Sequence, residues 1–293
     1  MRILLTGAQG FTGRHFTQLA QDSGHAVIPV HADLLQTELL KKEVAEASFT
    51  HVAHLAALSF VGHGDSRALY DVNLFGTLNL LDALLARGNL PERTLIASSA
   101  NIYGNARISP VNETAVPAPV NHYASSKLAM EHMARTYGSA LELLFVRPFN
   151  YTGPGQNASF LIPKLIHHFR SRAPKIELGN LDVVREYNDV RMVVEAYLRL
   201  LEKAAPGDTY NICSGNGHSI RSVITQLEAL TGHRMDIHVN PQFVRQNEVH
   251  ELLGDPSKLL QAVGSLPAPS LSGTLQWMLE TPPQDEGSRM SMA

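Results

Sequence analysis

The sequence predicts an α/β fold in which a doubly wound parallel sheet is followed by a smaller C-terminal domain. Strand-like runs alternate with helical stretches over the first half of the chain, which is the pattern of a parallel sheet covered by helices on both faces. The first run passes directly into three glycines spaced three apart, and then into a helical pattern. From residue 150 onward the pattern loosens into short elements around a Gly-Pro-Gly at 153–155, which indicates a second unit.

The elements are predicted in order from β-branched and leucine-rich runs. The strands are predicted at 3–6, 26–30, 51–55, 94–98 and 142–147, and further elements are helices at 71–87, 123–137 and 219–231 and a strand at 235–239. We expect 1–149 to form the first domain with 182–203 packing back on it, 150–181 and 204–280 to form the second domain, and 281–293 to be a disordered tail.

Composition narrows the classes of partner. The chain has 293 residues with 24 basic and 27 acidic side chains, and no basic run indicates a nucleic-acid or membrane surface. Cys213 is the only cysteine, so an intramolecular disulfide is excluded and a reducing compartment is favoured. No apolar run approaches the roughly 20 residues of a transmembrane helix. Because the first strand begins at Met1, we expect no signal peptide and a cytoplasmic protein.

The glycine turn predicts a nucleotide site. Gly7 allows a tight turn, Gly10 lets the backbone approach a pyrophosphate, and Gly13 lets the following helix pack closely. The phosphates would then meet the positive end of the helix dipole. Since the turn follows the first strand of the chain, we expect a Rossmann-type dinucleotide-binding domain.

The end of the second strand bears on the choice of cofactor. A carboxylate there would bind the ribose hydroxyls of NAD and repel the extra phosphate of NADP, but the chain has His31 after the strand. With Arg14 just beyond the last glycine, a 2′-phosphate is compatible, and the expected cofactor is NADP(H) or NAD(H). Asp33 either contacts the adenine end or caps a helix, and the sequence leaves both open.

Three side chains are suited to proton transfer. Tyr123 and Lys127 are four apart, so on a helix they project from one face. A fixed positive charge beside a phenol, whose ordinary pKa is about 10, favours the phenolate. Ser99 follows the fourth strand at the same sheet edge, where its hydroxyl could bond the same substrate oxygen. Ser99, Tyr123 and Lys127 are therefore the candidate catalytic residues.

Several motifs together resemble the extended short-chain dehydrogenase/reductases over nearly the whole chain. They are the turn at 6–13, His54-Leu55-Ala56-Ala57, the segment 98–104, and Tyr123 with Lys127. The segments 147–156 and 185–190 resemble the nucleotide-sugar branch of that family. The resemblance implies a Tyr and Lys pair assisted by Ser, a nicotinamide cofactor, and a nucleoside diphosphate sugar held by the C-terminal domain. It also implies that Lys127 binds the nicotinamide ribose and lowers the pKa of Tyr123.

The turn and the resemblance together assign the binding residues, and no metal site is assigned. Cofactor contacts are expected from Gly7, Gln9, Gly10, Phe11, Thr12, Gly13, Arg14, His31, Asp33, Leu34, Leu55, Ala56, Ala57, Asn73, Tyr123, Lys127 and Pro148. Substrate contacts are expected from Ser59, Asn101, Asn150, Arg185, Arg245 and Glu248. For Asn73 an amide that satisfies a helix end is an equal alternative.

The substrate's diphosphate requires positive charge and forked donors, which Arg185 and Arg245 supply. The segments 245–249 and 254–258 resemble the members that process GDP-mannose. By that resemblance Arg245 holds phosphate and Glu248 holds a ribose.

The expected reaction follows from what stands beside Ser99. Dehydratases of this branch resemble Thr-Asp-Glu or Thr-Ser-Glu there, whereas this chain has Ala100 and Asn101, which deliver no proton near neutrality. Reduction of a 4-keto sugar by NAD(P)H, or 4-epimerisation with retained NAD, needs only Ser, Tyr and Lys. The similarity is best to reductases of GDP-4-keto-6-deoxy-D-mannose, which form GDP-D-rhamnose, so reduction is favoured. A non-catalytic dinucleotide-binding protein on the same fold is disfavoured, because both Tyr123 and Lys127 are present. A homodimer is expected through the helices at 71–87 and 123–137, whose apolar faces could equally be core.

Overall fold

The computed structural model describes residues 1–59, 65–106, 108–243 and 249–282. Its strands are β1 (Arg2–Thr6), β2 (Ala26–Pro29), β3 (His51–His54), β4 (Arg93–Ala97), β5 (Leu143–Pro148), β6 (Tyr151–Thr152), β7 (Lys175–Leu178), β8 (Val184–Arg185), β9 (Asn188–Asp189), β10 (Thr209–Ile212), β11 (His218–Ser219), β12 (Asp236–Val239) and β13 (Glu251–Leu252). Its α-helices are α1 (Phe11–Asp22), α2 (Thr37–Glu46), α3 (Ser66–Tyr70), α4 (Thr77–Ala86), α5 (His122–Arg135), α6 (Leu161–Arg170), α7 (Val190–Lys203), α8 (Ile220–Thr231), α9 (Ser257–Val263) and α10 (Leu271–Glu280).

A parallel sheet of six strands forms the centre, in the order β10-β5-β4-β3-β1-β2. The chain moves outward from β1 to β2 on one side and then returns to place β3 on the other side of β1. The carboxyl ends of β1 and β3 therefore border the point where the strand order reverses, which is where ligands of such sheets bind. The predicted α/β fold with a doubly wound parallel sheet is confirmed.

Both faces of this sheet are covered, which explains why its strands are nearly continuous apolar runs. On one face α1, α7 and α9 pack in a core that includes Leu5, Phe16 and Tyr197. On the other face α2, α4 and α5 pack around residues such as Leu80 and Met130.

The second unit has a core of its own between α6, α8 and α10, centred on Leu165, Val223, Leu227 and Leu275. Beside it lie a small sheet in the order β11-β8-β13 and the pair β12-β7. These short strands follow the loosened sequence pattern after residue 150.

The expected domain boundary differs from the structure in one respect. We assigned 204–280 to the second unit, whereas β10 pairs with β5 in the central sheet and α9 packs against α7 through Leu259 and Val263. The four residues of β10 are all buried, but the run is short and contains a polar Asn211, so its sequence lacks the signal of the other central strands. Of the expected tail 281–293, residues 283–293 lie outside the described residues.

The predicted helix at 71–87 is not uniform. It begins as a π-helical segment, Asp71–Gly76, which continues directly into α4. Such segments are rare and occur often at functional sites. Across the described part of the chain, no helix combines the length and apolarity that spanning a membrane requires.

A buried carboxylate joins the two units. Glu186 is fully buried, and its oxygens accept hydrogen bonds from the backbone amides of Ser214 at 2.7 Å and Gly254 at 2.7 Å, and from the side chain of Asn188 at 2.9 Å. Ser214 lies just beyond β10 of the central sheet, and Gly254 lies just beyond β13 of the small sheet. Burial raises the pKa of Glu186, and these donors oppose that effect.

Candidate active site

The glycine turn has the geometry of a phosphate cradle. A Cβ on Gly13 would lie 2.1 Å from the carbonyl oxygen of Gly7, and one on Gly7, whose φ is +75°, would lie 2.7 Å from the amide nitrogen of Ala56. A Cβ on Gly10 would have one near neighbour, the Gly7 oxygen at 3.2 Å, so the space above Gly10 is open. Gly10 is also the N-cap of α1 and supplies no capping side chain. The turn therefore fits a diphosphate at the start of α1.

Side chains of α1 tie this turn to the segment after β5. The Arg14 guanidinium donates to the carbonyl oxygens of Gln9 at 2.7 Å and Gly155 at 2.9 Å. The Thr12 and Tyr151 hydroxyls lie 2.7 Å apart, and the rings of Phe11 and Tyr151 stack. Sequence reasoning missed Tyr151, although it directly follows Asn150 in the motif that carried the resemblance.

The loop after β2 is held by a carboxylate from α2 that the sequence did not reveal. Glu43, on α2, accepts hydrogen bonds from the backbone amides of His31 at 2.8 Å and Ala32 at 2.7 Å. Asp33 accepts from the amide of Leu35 at 2.9 Å, which makes it a turn-forming residue here. Leu34 is buried. No local pattern marks Glu43, because it reaches this loop from the next helix.

A buried hydrogen-bond chain crosses the ends of β1 and β3. His54 Nδ1 lies 2.7 Å from the Thr6 hydroxyl, and its Nε2 lies 2.8 Å from the Thr77 hydroxyl. The Thr77 hydroxyl donates to the carbonyl oxygen of Asn73, and the Thr6 oxygen accepts from the amide of Ala56. These directions leave Thr6 to donate to Nδ1 and Nε2 to donate to Thr77, so the neutral ring carries its proton on Nε2.

Burial lowers the pKa of His54 to about 3, and the charge of Lys127 adds to the effect. The ring is therefore a neutral link between the two strand ends. The ring bonds to Thr6, and the Thr6 oxygen accepts from the amide of Ala56, an expected cofactor contact that lies beside Gly7.

Asn73, in the π-helical segment, forms hydrogen bonds with the loop after β3 and with α5. Its side-chain oxygen accepts from the amide of Leu58 at 2.9 Å, and its nitrogen donates to the Leu58 carbonyl at 3.1 Å and to the Ser126 hydroxyl at 3.1 Å. Asn73 is buried, and these bonds join the loop after β3 to α5. The structure thus gives Asn73 a positioning role for the residues around the expected cofactor.

The candidate catalytic residues meet at the carboxyl end of β4. The Ser99 oxygen accepts from the backbone amide of Asn101 at 3.2 Å and from its side-chain amide at 3.1 Å. Ser99 also shares a side-chain hydrogen bond with Tyr123. Lys127, one turn further along α5, donates to the carbonyl oxygen of Ala97 at 2.8 Å. The expected substrate contact Asn101 is thus bonded to Ser99.

The pKa of Tyr123 corrects one expectation. We expected the neighbouring ammonium to lower it, whereas burial raises the pKa of Tyr123 to about 12, and the hydrogen bond from Ser99 opposes this. Burial also lowers the pKa of Lys127 to about 8, and the charge of Glu131 opposes that. Near neutrality the phenol is therefore protonated and the amine is charged.

The other expected binding residues are placed as follows. Leu55, Ala57 and Ser59 continue from β3, Pro148 ends β5, and the exposed Asn150 follows it by two residues, all at the ligand-binding edge of the sheet. Arg185 donates to carbonyl oxygens of Val184, Val249 and His250, so it holds the segment that leads into β13. Arg245 and Glu248 lie outside the described residues.

Comparison with known proteins gives consistent matches. A family model described as GDP-mannose 4,6 dehydratase matches residues 17–278. The chain is 36% identical over 270 residues to GDP-6-deoxy-D-talose 4-dehydrogenase of Aggregatibacter actinomycetemcomitans, covering 90% of this chain and 92% of the relative. It is 34% identical over 296 residues to GDP-6-deoxy-D-mannose reductase of Pseudomonas aeruginosa, covering 95% and 96%. The solved structure of RMD from Pseudomonas aeruginosa complexed with NADPH has a TM-score of 0.88, with 33% identity and coverage of 95% and 98%.

Proposed function

The chain belongs to the GDP-mannose 4,6 dehydratase family, and on that premise we propose that it reduces the 4-keto group of GDP-4-keto-6-deoxy-D-mannose with NADP(H) or NAD(H) to form GDP-D-rhamnose. The observation that carries the proposal is the group of hydrogen bonds among Ser99, Asn101 and Tyr123. This group supplies a proton donor and its supporting hydroxyl, without the additional acid and base that a dehydratase requires.

Two relatives support reduction at this carbon. One is named as a 4-dehydrogenase of a GDP-6-deoxyhexose, and the other is named as a GDP-6-deoxyhexose reductase. The 6-deoxy sugars in these names, talose and mannose, differ in configuration at C4. Reduction of the 4-keto group from one face or the other therefore gives one sugar or the other, and product analysis distinguishes them.

The chain's residues act on the oxygen of the 4-keto group, which is protonated when its carbon is reduced. Bound NADPH supplies the hydride. Tyr123, whose raised pKa keeps it protonated near neutrality, donates its proton to the substrate oxygen. Because the Ser99 oxygen accepts from Asn101, its own hydrogen is left to stabilise the phenolate or to polarise the carbonyl.

The cofactor and the nucleotide sugar are proposed to lie on opposite sides of this group. The turn at Gly7, Gly10 and Gly13 would hold the cofactor diphosphate, and the charged Lys127 would hold its ribose. On the side of the second unit, Arg245 would bind the sugar's diphosphate, while Arg185, first expected to bind it too, would instead hold the segment that leads into β13. Asn150 and Glu248 would bind other parts of the substrate.

We also propose a cytoplasmic homodimer that uses the outer side of α5 and the π-helical segment. Most apolar side chains of the predicted helices at 71–87 and 123–137 are core, for example Leu81 and Met130. Two large ones remain, Phe75 with 52% and Met133 with 47% exposure. Size-exclusion chromatography of the protein and of a Phe75→Ser, Met133→Ser variant tests this proposal, and a wild-type monomer contradicts it.

Product analysis tests the reaction. The purified protein is incubated with GDP-4-keto-6-deoxy-D-mannose and NADPH or NADH, and the products are separated and assigned by NMR. We expect one cofactor oxidised for each GDP-D-rhamnose formed, and little reduction of the UDP and dTDP counterparts. GDP-6-deoxy-D-talose as the product would correct the stereochemistry. Tightly retained NAD with interconversion of hexoses, and no net NADPH consumption, would contradict reduction.

A further inference from the structure

The carboxylate of Glu131 lies one helical turn beyond Lys127 on α5. Tyr123, Lys127 and Glu131 are spaced four apart on α5, so they lie on one side of the helix in successive turns. Lys127 is 3% exposed and Glu131 is 2% exposed. The helix thus presents a phenol, an ammonium and a carboxylate in order from the mouth of the site inward.

Arg147 on β5 holds this carboxylate with two parallel hydrogen bonds. Its Nε donates to Glu131 Oε1 at 3.0 Å, and its Nη2 donates to Oε2 at 2.7 Å. Its Nη1 donates to the Tyr103 hydroxyl at 2.8 Å. Tyr103 ends the short 3-10 helix that Ser99 caps, so the network connects α5 with the segment that carries Ser99.

The charges around Lys127 come from several elements. From β3 His54 faces it as a neutral ring, and on its own helix Tyr123 is protonated near neutrality. Below it lie the Glu131 carboxylate and, beyond that carboxylate, the guanidinium groups of Arg147 and of Arg135, the latter 3.8 Å from Glu131. Burial alone would favour neutral Lys127, and the charge that opposes this effect is that of Glu131, one helical turn away on α5.

We propose that Glu131 is a positioning residue of the reductase, whose buried carboxylate keeps the Lys127 side chain charged, and that Arg147 limits how strongly it does so. The role in catalysis rests on the proposed function. The charge state of Lys127 does not, because it is a property of the ligand-free chain. Neither side chain needs to touch the substrate or the cofactor.

The direct test measures Lys127 in ligand-free protein. With 13C-labelled lysine, the NMR signal that disappears in Lys127→Met is followed as the pH is raised. Glu131→Gln removes the favourable charge and leaves Arg147 unpaired, so the titration midpoint falls by about one pH unit or more. Arg147→Gln leaves the carboxylate unneutralised, so the midpoint rises. A purely structural role predicts no such opposite displacements.

Further variants guard against loss of folding. Breaking a buried pair on one side destabilises a protein strongly, so the double variant Glu131→Gln, Arg147→Gln, which removes both members of the buried pair, is included. Its midpoint falls, but less than that of Glu131→Gln. Glu195→Gln removes a carboxylate from an Arg199 pair on α7 and is the matched control, with an unchanged midpoint.

Activity profiles provide the second readout. The alkaline limb of the kcat profile moves in the same direction as each midpoint. An unchanged Lys127 midpoint in the double variant, or midpoints that move the same way in both single variants, overturns the proposal. If the midpoints move as expected but the chain reduces no keto sugar, the proposed function fails and the assignment of the charge stands.

Discussion

The Ser99 oxygen accepts two hydrogen bonds from a single residue, Asn101, through its backbone amide and its side-chain amide. With both donors in place, the hydroxyl hydrogen is free to point toward Tyr123 and the substrate oxygen. Asn101 was expected to contact the substrate. The structure shows that it also orients the Ser99 hydroxyl.

Replacing Asn101 by Ala removes the side-chain donor and keeps the backbone one. We expect kcat to fall about two- to tenfold, which corresponds to about 0.5–1.5 kcal/mol for one hydrogen bond, while KM for the nucleotide sugar changes little. Steady-state kinetics measures both constants. Asn157→Ala, at an exposed turn far along the chain, is the control. A rise in KM at constant kcat would instead support direct binding of substrate by Asn101.

Tyr123→Phe removes the proton donor but keeps the ring. Turnover is expected to fall by about two to four orders of magnitude, the usual contribution of a general acid. Cofactor affinity, measured by quenching of protein fluorescence, remains close to that of the original protein. A nearly full rate is incompatible with the proposed proton donor.

Gly10→Ala tests whether the glycine turn binds the cofactor diphosphate, and it places no strain on the backbone. Gly10 has φ −70°, and an added Cβ would lie 3.2 Å from one carbonyl oxygen, so thermal unfolding should be little changed. The methyl group would occupy the space assigned to the diphosphate, and we expect the cofactor Kd to rise about tenfold or more, equivalent to about 1.4 kcal/mol. Gly138→Ala places a Cβ at the same 3.2 Å from a carbonyl oxygen and is the control. Equal Kd values for the two variants would argue against a cradle at Gly10.

His54 makes stability depend on pH. Its pKa is about 3 in the folded chain and 6.5 ordinarily, so between these values the unfolded chain binds a proton that the folded chain does not. The free energy of unfolding therefore falls as the pH drops below 6.5, by up to about 1.4 kcal/mol per pH unit from this group. Urea titrations between pH 7 and pH 5 should show a steeper loss for the original protein than for His54→Gln. Parallel curves would show that the ring is not held neutral.

Arg245→Ala is expected to weaken nucleotide-sugar binding because it removes the charge that we propose binds the diphosphate. KM should rise about tenfold or more, within the range of about 1.5–3 kcal/mol for a hydrogen bond to a charged group, and kcat should change less. Arg67→Ala, at an exposed position, controls for the loss of a surface charge. Unchanged KM would remove Arg245 from the binding site.

Most of the central sheet could be predicted from the sequence. The run at 3–6 corresponds to β1 and that at 142–147 to β5, with small differences at the ends, because strands buried on both faces carry an almost unbroken apolar signal. β10 lacks that signal. Its Asn211 instead accepts from Tyr103 and donates to the carbonyl of Val111, contacts that only the folded chain brings together.

The same distinction applies to the site. Helical spacing placed Tyr123 and Lys127 on one face, and the same spacing extended by one turn would have revealed Glu131. The tertiary partners could not be predicted. Arg147 bonds to Glu131 from β5, Tyr151 bonds to Thr12 from β6, and Glu43 bonds to the loop after β2 from α2. Such tertiary contacts leave no periodic pattern in the chain.

The hydrogen bonds that Glu186 accepts connect the central sheet with the small sheet. Moving the small sheet away from the central sheet would remove the amide of Ser214 or that of Gly254 from this carboxylate. A buried charge that loses its hydrogen-bond donors is destabilising. Glu186 therefore opposes separation of the small sheet from the central sheet.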